Sequence, residues 1–180
     1  MTAVRNALEQ TMAAIAADST KAKARKAPAT ARITDGLRCE VTGPHGERLE
    51  TDMPPAMGGA ASGPNPSWLL RSALASCTAT VIAMRAARLG IKLDVLEVTV
   101  ESESDVRGLL GMDENVSAAL GTIRTKVKIQ GDASPDSLRA LVAWADAHSP
   151  VGCTLKDAPA CSLEVEVAPN GAGCGPSPSP

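Results

Sequence analysis

Five cysteine thiols give this sequence its main capacity for covalent chemistry, because its 180 residues include only two histidines and no tyrosine. Thiolates are nucleophiles and can be oxidised. Five is an odd number and no C-x-x-C pair occurs, which is typical of free thiols in a reducing compartment rather than of a disulfide scaffold. We therefore expect a cytoplasmic protein. The cysteines are Cys39, Cys77, Cys153, Cys161 and Cys174.

Cys77 and Cys153 are both predicted to lie on helices, but in different surroundings. Cys77 falls in the middle of a long apolar helix, where a cysteine usually serves as a small hydrophobic residue. The dipole of the helix N-terminus does not reach that far, so a reactive thiolate there needs a cation from another element. Cys153 falls in or just beyond the first turn of a short helix that begins after Ser149. Backbone amides at that position favour a thiolate.

The remaining cysteines and the histidines are weaker candidates for chemistry. Cys39 and Cys161 are predicted to be strand residues with structural roles, and Cys174 lies in a terminal tail with no assigned role. A nucleophile pair of either helical cysteine with His148 is conceivable, although nothing in the spacing supports it.

The composition excludes several classes of function. Two tryptophans, with no Phe or Tyr, are too few for a base-stacking platform or an aromatic cage. A net charge of −2 and a pI of about 5.7 provide no basic field for nucleic acid or anionic lipid. No metal-ligand spacing or phosphate loop occurs, so we expect no metal and no cofactor. No apolar run reaches the ~18 residues that a membrane span needs.

Three regions divide the chain. Residues 1–30 are predicted to form a helix over 2–18 and a charged linker over 19–30. We interpret the linker as solvated, with an interaction patch as the alternative. Residues 31–168 form the folded domain, and 169–180 have the Gly, Pro and Ser composition of a disordered tail.

A long central helix is the strongest local signal. Asn65 is a preferred N-cap and Pro66 is well tolerated at the first helical position. Apolar residues continue to Leu89, and Gly90 ends the helix. Apolar residues on most sides predict a buried helix, and small residues near its middle allow another backbone to approach closely. One face is expected to collect Leu70, Leu74, Cys77, Val81 and Met84.

Shorter elements flank the central helix and predict an α+β fold in the order ββ-α-ββ-αα-β. Loops are expected over 54–63 and 105–111. Later helices begin at Ser134-Pro135, ending near His148, and at Ser149-Pro150. Period-2 alternation predicts strands at 37–41, 47–53, 92–104 and 122–130, and a last one marked by Leu163, Val165 and Val167.

Several segments together resemble the OsmC/Ohr superfamily of peroxide-resistance proteins. The resemblance covers about residues 31–168 and agrees with the predicted order of elements. It implies an OsmC-like fold and an obligate, intertwined homodimer with the two central helices packed in its middle. The segments are Gly58-Gly59, Gly63-Pro64-Asn65-Pro66, Leu69-Leu70, Ala73, Ala75-Ser76-Cys77-Thr78, Leu96-Glu97-Val98, the loop from Asp105 to Gly111, and Ser149-Pro150-Val151 with Leu155.

The resemblance also implies a chemistry. Cys77 matches the family's peroxidatic cysteine, whose thiolate attacks the O–O bond of an organic hydroperoxide and becomes a sulfenic acid. A second cysteine then forms a disulfide with it, which an external dithiol reduces. The second cysteine of the family falls on Ser149 in this sequence. Cys153 lies one helical turn, ~6 Å, further on, so it can substitute only if the short helix rotates or moves.

The residues that activate the thiol differ as well. The family places an acidic residue just after Asn-Pro, where it orients an arginine that stabilises the thiolate. Ser67 and Trp68 stand there in this sequence, and we expect both in the pocket together with Ser149. Arg32 and Arg38, which we place in the first strand, are the candidates for the arginine, and Arg32 is nearer the expected spacing.

Two main hypotheses follow. The first is a thiol peroxidase that reduces organic hydroperoxides in oxidative-stress defence, with Cys153 or an external thiol resolving Cys77. The alternative is a non-catalytic OsmC-like protein that binds a small apolar or thiol ligand at the dimer interface. A Cys-dependent hydrolase or acyl carrier is a third possibility, disfavoured because no base is evident. We expect no nucleic-acid or membrane partner.

Overall fold

The structure, a computed structural model, describes residues 2–23 and 25–167. The helix predicted over 2–18 is confirmed, and the long, later and short helices begin where expected. The helices are α1 (Thr2–Ala17), α2 (Pro66–Leu89), α3 (Val106–Leu109), α4 (Pro135–His148) and α5 (Pro150–Lys156). The strands are β1 (Thr30–Asp35), β2 (Arg38–Thr42), β3 (Arg48–Thr51), β4 (Leu93–Ser102) and β5 (Ile123–Gly131).

The helix boundaries follow their capping residues. The Asn65 side chain accepts a hydrogen bond from the Trp68 amide at 2.9 Å, and Gly90 ends α2 with a φ of +77°. Ser134 and Ser149 cap α4 and α5 in the same way, each followed by a proline at the first helical position. These residues satisfy amides that the first helical turn leaves without a partner.

The first sheet has three antiparallel strands in the order β1-β2-β3. We predicted a two-stranded hairpin here, with Arg32 and Arg38 in one strand, and that prediction is wrong. Gly36, with a φ of +56°, turns the chain between Asp35 and Arg38, so that Arg32 lies in β1 and Arg38 in β2. Glycine at the first of the two central positions is typical of a type II′ hairpin turn, because that residue needs a positive φ.

The second sheet is the long antiparallel pair of β4 and β5, and it packs against α2. Residues of α2 and α4 form the buried centre of the molecule. Leu96 and Val98 of β4 and Val127 and Ile129 of β5 cover it on the sheet side. The buried centre consists of Ile82, Ala86, Leu138, Leu141 and Ala145.

Only one face of α2 is buried within a single chain. The buried residues follow an i, i+4 spacing through Leu74, Thr78, Ile82 and Ala86. The face that we predicted to be apolar and covered is partly open, and its Leu70 and Met84 are each 37% exposed. By length and composition alone, α2 could cross a membrane. Its packing against β4, α4, α1 and α5 identifies it as the central helix of this fold.

Two local predictions on the later half of the chain are wrong. A short helix, α3, begins within the predicted loop, because the Asp105 carboxylate accepts a hydrogen bond from the Arg107 amide. The predicted last strand is absent from the described residues. Leu163, Val165 and Val167 are at least 75% exposed, and no described strand pairs with them. Cys161 is therefore an exposed residue outside any strand. The predicted tail and Cys174 lie outside the described residues.

Candidate functional site

Cys77 meets Ser149 where α2 passes the junction between α4 and α5. The Ser149 hydroxyl donates a hydrogen bond to the Cys77 sulfur at 3.3 Å and accepts one from the Gly152 amide at 3.2 Å. Ser149 is 1% exposed, whereas Cys77 is half-buried. The Ser-Pro pair after His148 causes this arrangement, because it ends one helix, begins the next and fixes the serine rotamer through the cap.

Cys77 lies in a cavity of about 600 Å³. Three helices supply most of its walls, which are largely apolar, and the start of α5 closes one side. It is large enough for a small organic molecule. The lining residues are Leu8 and Met12 of α1, Ser76, Cys77, Thr80, Val81, Met84, Arg85 and Arg88 of α2, Trp144 and His148 of α4, and Pro150.

Trp144 organises the α4 side of this cavity. Its ring stacks on that of His148 with centroids 3.9 Å apart and planes 12° from parallel. The Arg85 guanidinium carbon lies 4.5 Å from the Trp144 ring centroid, a cation–π contact. His148 Nδ1 lies 2.7 Å from the Trp144 carbonyl oxygen. Because a carbonyl oxygen only accepts, Nδ1 carries the proton of this hydrogen bond.

Two cations therefore share the cavity with the thiol. Arg85 and Arg88 lie on the same face of α2 as Cys77, about two and three turns further along. The Arg85 Nε atom is buried and has no hydrogen-bond partner among the described residues. We expected a cation from another element, and the structure adds cations from the same helix. Their positive charge favours negative groups within the cavity.

Cys153 does not share this cavity. Its side chain is exposed, and its sulfur donates a hydrogen bond to the Ala147 carbonyl oxygen at 3.4 Å. Its backbone amide bonds the Ser149 carbonyl at 2.8 Å, as the first turn of α5 requires. The structure thus directs the Cys153 thiol toward the end of α4, while Ser149 occupies the place beside Cys77.

The predicted arginines lie on the first sheet, away from Cys77 within one chain. Arg32 is an exposed residue of β1, and its neighbour in the register with β2 is Glu40. Arg38 lines a separate small cavity with Asp52 and Gly59. The main packing partners of α2 do not include this sheet. A role for either arginine at Cys77 stays a prediction.

Ser67 and Trp68 lie in the first turn of α2, also apart from the Cys77 cavity. Trp68 is 50% exposed and faces a shallow cavity lined by Asp52, Asn65 and Arg71. Ser67 is exposed. The tryptophan that lines the Cys77 cavity is Trp144, which sequence reasoning did not place in the site.

Asp52 holds the loop that leads into α2. Its carboxylate is buried and accepts hydrogen bonds from the amides of Met53, Ala60 and Ser62 and from the Ser62 hydroxyl, at 2.8 to 3.1 Å. The Ser62 amide is the largest of the causes that lower the pKa of Asp52 to about 2, against the opposing effect of burial. At Gly59 an added Cβ would lie 1.9 Å from the Met53 carbonyl oxygen, so the loop closes only around a glycine.

The family model described as "OsmC-like protein" matches residues 59–164, which is more than half of the chain. The chain belongs to the OsmC family. The matched segment of this OsmC-like chain contains Cys77, Ser149, Trp144 and both cavity arginines. It excludes α1, β1, β2 and β3.

Solved structures of OsmC-like proteins have the same fold. An OsmC like protein from Mycoplasma pneumoniae superposes with a TM-score of 0.64 at 18% identity, covering 76% of this chain and 91% of that one. An organic hydroperoxide resistance protein OsmC from Legionella pneumophila gives 0.59 at 23%, covering 75% and 93%. The organic hydroperoxide resistance protein OhrB of Bacillus subtilis gives 0.50 at 21%, covering 74% and 93%. A comparison with functionally curated proteins found no match.

Sequence reasoning missed three groups of residues in this OsmC-like site. Trp144 and His148 are four residues apart, a spacing that places them on one helix face. Arg85 and Arg88 share the helix face of Cys77. Leu8 and Met12 are four residues apart and lie on one side of α1. Each spacing can be read from the sequence. Only the packing of α1, α2 and α4 on one another shows that the three groups line the same cavity. Among residues 2–23 and 25–167, no group of three His, Cys, Asp or Glu side chains could hold a metal ion.

Proposed function

We propose that this OsmC-like protein is a cysteine-based peroxidase that reduces organic hydroperoxides in oxidative-stress defence. One observation carries the proposal: the Cys77 sulfur lies in a largely apolar cavity and accepts a hydrogen bond from the buried Ser149 hydroxyl at 3.3 Å. A hydroxyl that donates to the sulfur orients it, and the hydrogen bond stabilises negative charge that develops there. The apolar walls suit the organic part of a hydroperoxide.

The first step forms an S–O bond and breaks the O–O bond. The Cys77 thiolate attacks the terminal oxygen of ROOH, leaving a sulfenic acid on Cys77 and releasing RO⁻, which takes a proton to become the alcohol ROH. Sulfur is oxidised and the peroxide is reduced, so the step needs no further oxidant. Arg85 and Arg88 lie about two and three turns from Cys77 on the wall of the same cavity, and their positive charge makes the cavity more favourable for the negative charge that develops on the leaving oxygen.

An external thiol then restores Cys77. A thiol R′SH condenses with the sulfenic acid, releasing water and forming a mixed disulfide, and a second thiolate displaces Cys77 from it. Ser149 supports this route, because it stands beside Cys77 and has no thiol to offer. Cys153 supports it as well, because its sulfur faces the Ala147 carbonyl. A dithiol reductant supplies both thiols in one molecule.

The decisive experiment measures consumption of cumene hydroperoxide by the full chain in the presence of dithiothreitol. We expect Cys77→Ser to abolish consumption and Cys153→Ser to retain it. Dimedone labelling of the tryptic peptide 72–85, whose only cysteine is Cys77, reports the sulfenic acid directly. An inactive wild-type protein, or unchanged activity in Cys77→Ser, contradicts the proposal.

A non-catalytic role is the second candidate, because a cavity of about 600 Å³ with mainly apolar walls also suits a small apolar or thiol ligand. This candidate predicts that the ligand raises the thermal stability of the protein. It also predicts that Cys77→Ser leaves the ligand-induced stabilisation intact, with no dimedone adduct in the wild type. Hydroperoxide consumption and a dimedone adduct in the wild type, which only the peroxidase predicts, therefore distinguish the two candidates.

We further propose that the protein works as a homodimer in the cytoplasm. The partly open face of α2 and the exposed apolar side chains at 163–167 support a second copy as their cover. Arg32 or Arg38 would then act on Cys77 from that copy. Free thiols on the described residues suit a reducing compartment. Light scattering should give twice the chain mass of 18.4 kDa, and a monomer would contradict the dimer.

A further inference from the structure

The helix α1 lies outside the segment that matches the OsmC family model, yet it contributes a wall to the Cys77 cavity. Leu8 and Met12 line that cavity opposite residues of α2. The spacing of four places both side chains on one side of α1. A segment outside the family domain thus forms part of the wall of the cavity that contains Cys77.

Arg5 anchors the beginning of α1 to the end of α2. Its Nε donates a hydrogen bond to the Ala87 carbonyl oxygen at 2.8 Å, in the last turn of α2, where carbonyl groups carry partial negative charge. Gly90 leaves room for this contact, since an added Cβ there would lie 2.5 Å from Arg5 Nη2. Leu8 and Met12 consequently lie over the part of α2 that precedes Ala87.

The helix α1 is held only weakly against α2. The helix has no fully buried residue, and Met12 is 47% exposed although it lines the cavity. A helix that buries so little apolar surface gains little free energy from packing, so one charge-assisted hydrogen bond is a large part of what holds it. Segments of this kind open at low free-energy cost while the core stays folded.

We propose that α1 is a removable cover of the Cys77 cavity, held by Arg5, and that Leu8 and Met12 set the size of the molecules that reach the thiol. This inference rests on the proposed function for its biological meaning, since the molecules are organic hydroperoxides and the reducing thiol. Small reagents pass the cover in its docked state, and bulky ones react only when α1 leaves α2.

The test compares two thiol reagents on the full chain. Iodoacetamide is small and fluorescein maleimide is bulky, and mass spectrometry of the tryptic peptide 72–85 follows Cys77 alone. We expect Arg5→Ala to speed the maleimide reaction by about tenfold, the factor that loss of one charge-assisted hydrogen bond supplies. The iodoacetamide rate should change by less than about twofold. Arg25→Ala, in the exposed linker, is the matched control and should leave both rates unchanged.

Changes in the cover itself provide an independent check in both directions. Met12→Ala should raise the ratio of maleimide to iodoacetamide rates, and Met12→Trp should lower it. Gln10→Ala, on an exposed part of α1, should leave the ratio as it is. Equal ratios in Arg5→Ala, Met12→Ala, Met12→Trp and the wild type would overturn the inference.

The experiment separates this inference from the proposed function, because alkylation needs a thiol and not a peroxidase. If the ratio of maleimide to iodoacetamide rates responds to these variants although the protein consumes no hydroperoxide, that result supports the cover and contradicts the peroxidase. A protein that consumes hydroperoxide, but whose ratio of maleimide to iodoacetamide rates is the same in all variants, supports the peroxidase and contradicts the cover. If both hold, Arg5→Ala should also raise kcat/KM for cumene hydroperoxide relative to that for hydrogen peroxide.

Discussion

The Ser149 hydroxyl donates a hydrogen bond to the Cys77 sulfur across 3.3 Å, and this contact joins the N-cap of α5 to the middle of α2. The OsmC/Ohr resemblance implies a second cysteine at position 149. Serine keeps the cap and supplies a hydrogen-bond donor, but it cannot form a disulfide. Oxygen in place of sulfur at residue 149 thus keeps a contact with Cys77 and removes the possibility of a disulfide between the two residues.

Ser149→Cys should restore an intramolecular disulfide with Cys77. The two side-chain atoms already lie at 3.3 Å, and a modest adjustment brings two sulfurs to bonding distance. We expect one equivalent of cumene hydroperoxide to crosslink tryptic peptides 72–85 and 140–156 nearly completely. Because Cys153 lies in the second peptide, the variant is made in a Cys153→Ser background. The Cys153→Ser protein with Ser149 intact is the control, and a crosslink there would contradict our account.

Ser149→Ala should slow oxidation of Cys77 and also loosen α5. Loss of the N-cap costs about 1 kcal/mol, equivalent to about 2–4 °C in Tm for a chain of this size. Ser134→Ala removes the corresponding cap of α4, which accepts from the Ser137 amide at 3.2 Å. It serves as the matched control, with a similar Tm loss and normal dimedone labelling of Cys77. If both variants label equally, the Ser149 hydroxyl has no part in activating the thiol.

The loop around Asp52 should lose stability between about pH 4 and pH 2. The pKa of Asp52 is lowered to about 2 in the folded protein, below its value near 4 in an unfolded chain. The carboxylate therefore contributes stability above about pH 4, and that contribution is lost as the pH falls toward 2. Thermal unfolding as a function of pH measures the effect.

Asp52→Asn should flatten this part of the pH profile, because an amide offers one acceptor oxygen to four donors and does not titrate. Asp136→Asn is the control, since its carboxylate is 94% exposed and pairs only with Arg139 on the helix surface. A wild-type profile that matches that of Asp52→Asn below pH 4 would show that the loop does not depend on the ionised form.

Trp144 should report events in the Cys77 cavity through its fluorescence. Trp68 is half-exposed and faces another cavity, so Trp68→Phe leaves Trp144 as the single tryptophan. Oxidation of Cys77 places a polar oxygen in the cavity, and we expect the emission of Trp68→Phe to shift to longer wavelength. Trp144→Phe should show no shift under the same treatment. A shift in Trp144→Phe alone would assign the reporting residue to Trp68 instead.

Local signals predicted the helix boundaries well. Asn65-Pro66, Ser134-Pro135 and Ser149-Pro150 each act within one turn, so neighbouring residues suffice to place the start of a helix. The family assignment also followed from local segments around Cys77. These signals located the thiol and its serine partner without any knowledge of packing.

Features that depend on partners distant in the chain were harder to predict. The alternation of Leu163, Val165 and Val167 satisfies the pattern of a strand, but a strand exists only where another strand pairs with it. Trp68 was expected beside Cys77 because it is close in sequence, whereas Trp144 reaches the cavity by the packing of α4 on α2. The glycine of the turn at Gly36-Leu37 was a readable signal that we missed.

The hydrophobic centre of the molecule consists of residues from α2 and α4 alone. All of them lie between Pro66 and His148, so the first 65 residues contribute none of this centre. Apart from the buried Thr51 and Asp52, substitutions in that front part should cost less folding free energy than those in the centre, and changes at Leu8 or Met12 alter the wall of the Cys77 cavity. Such an arrangement lets the wall of the Cys77 cavity change in size at little cost to the stability of the hydrophobic centre.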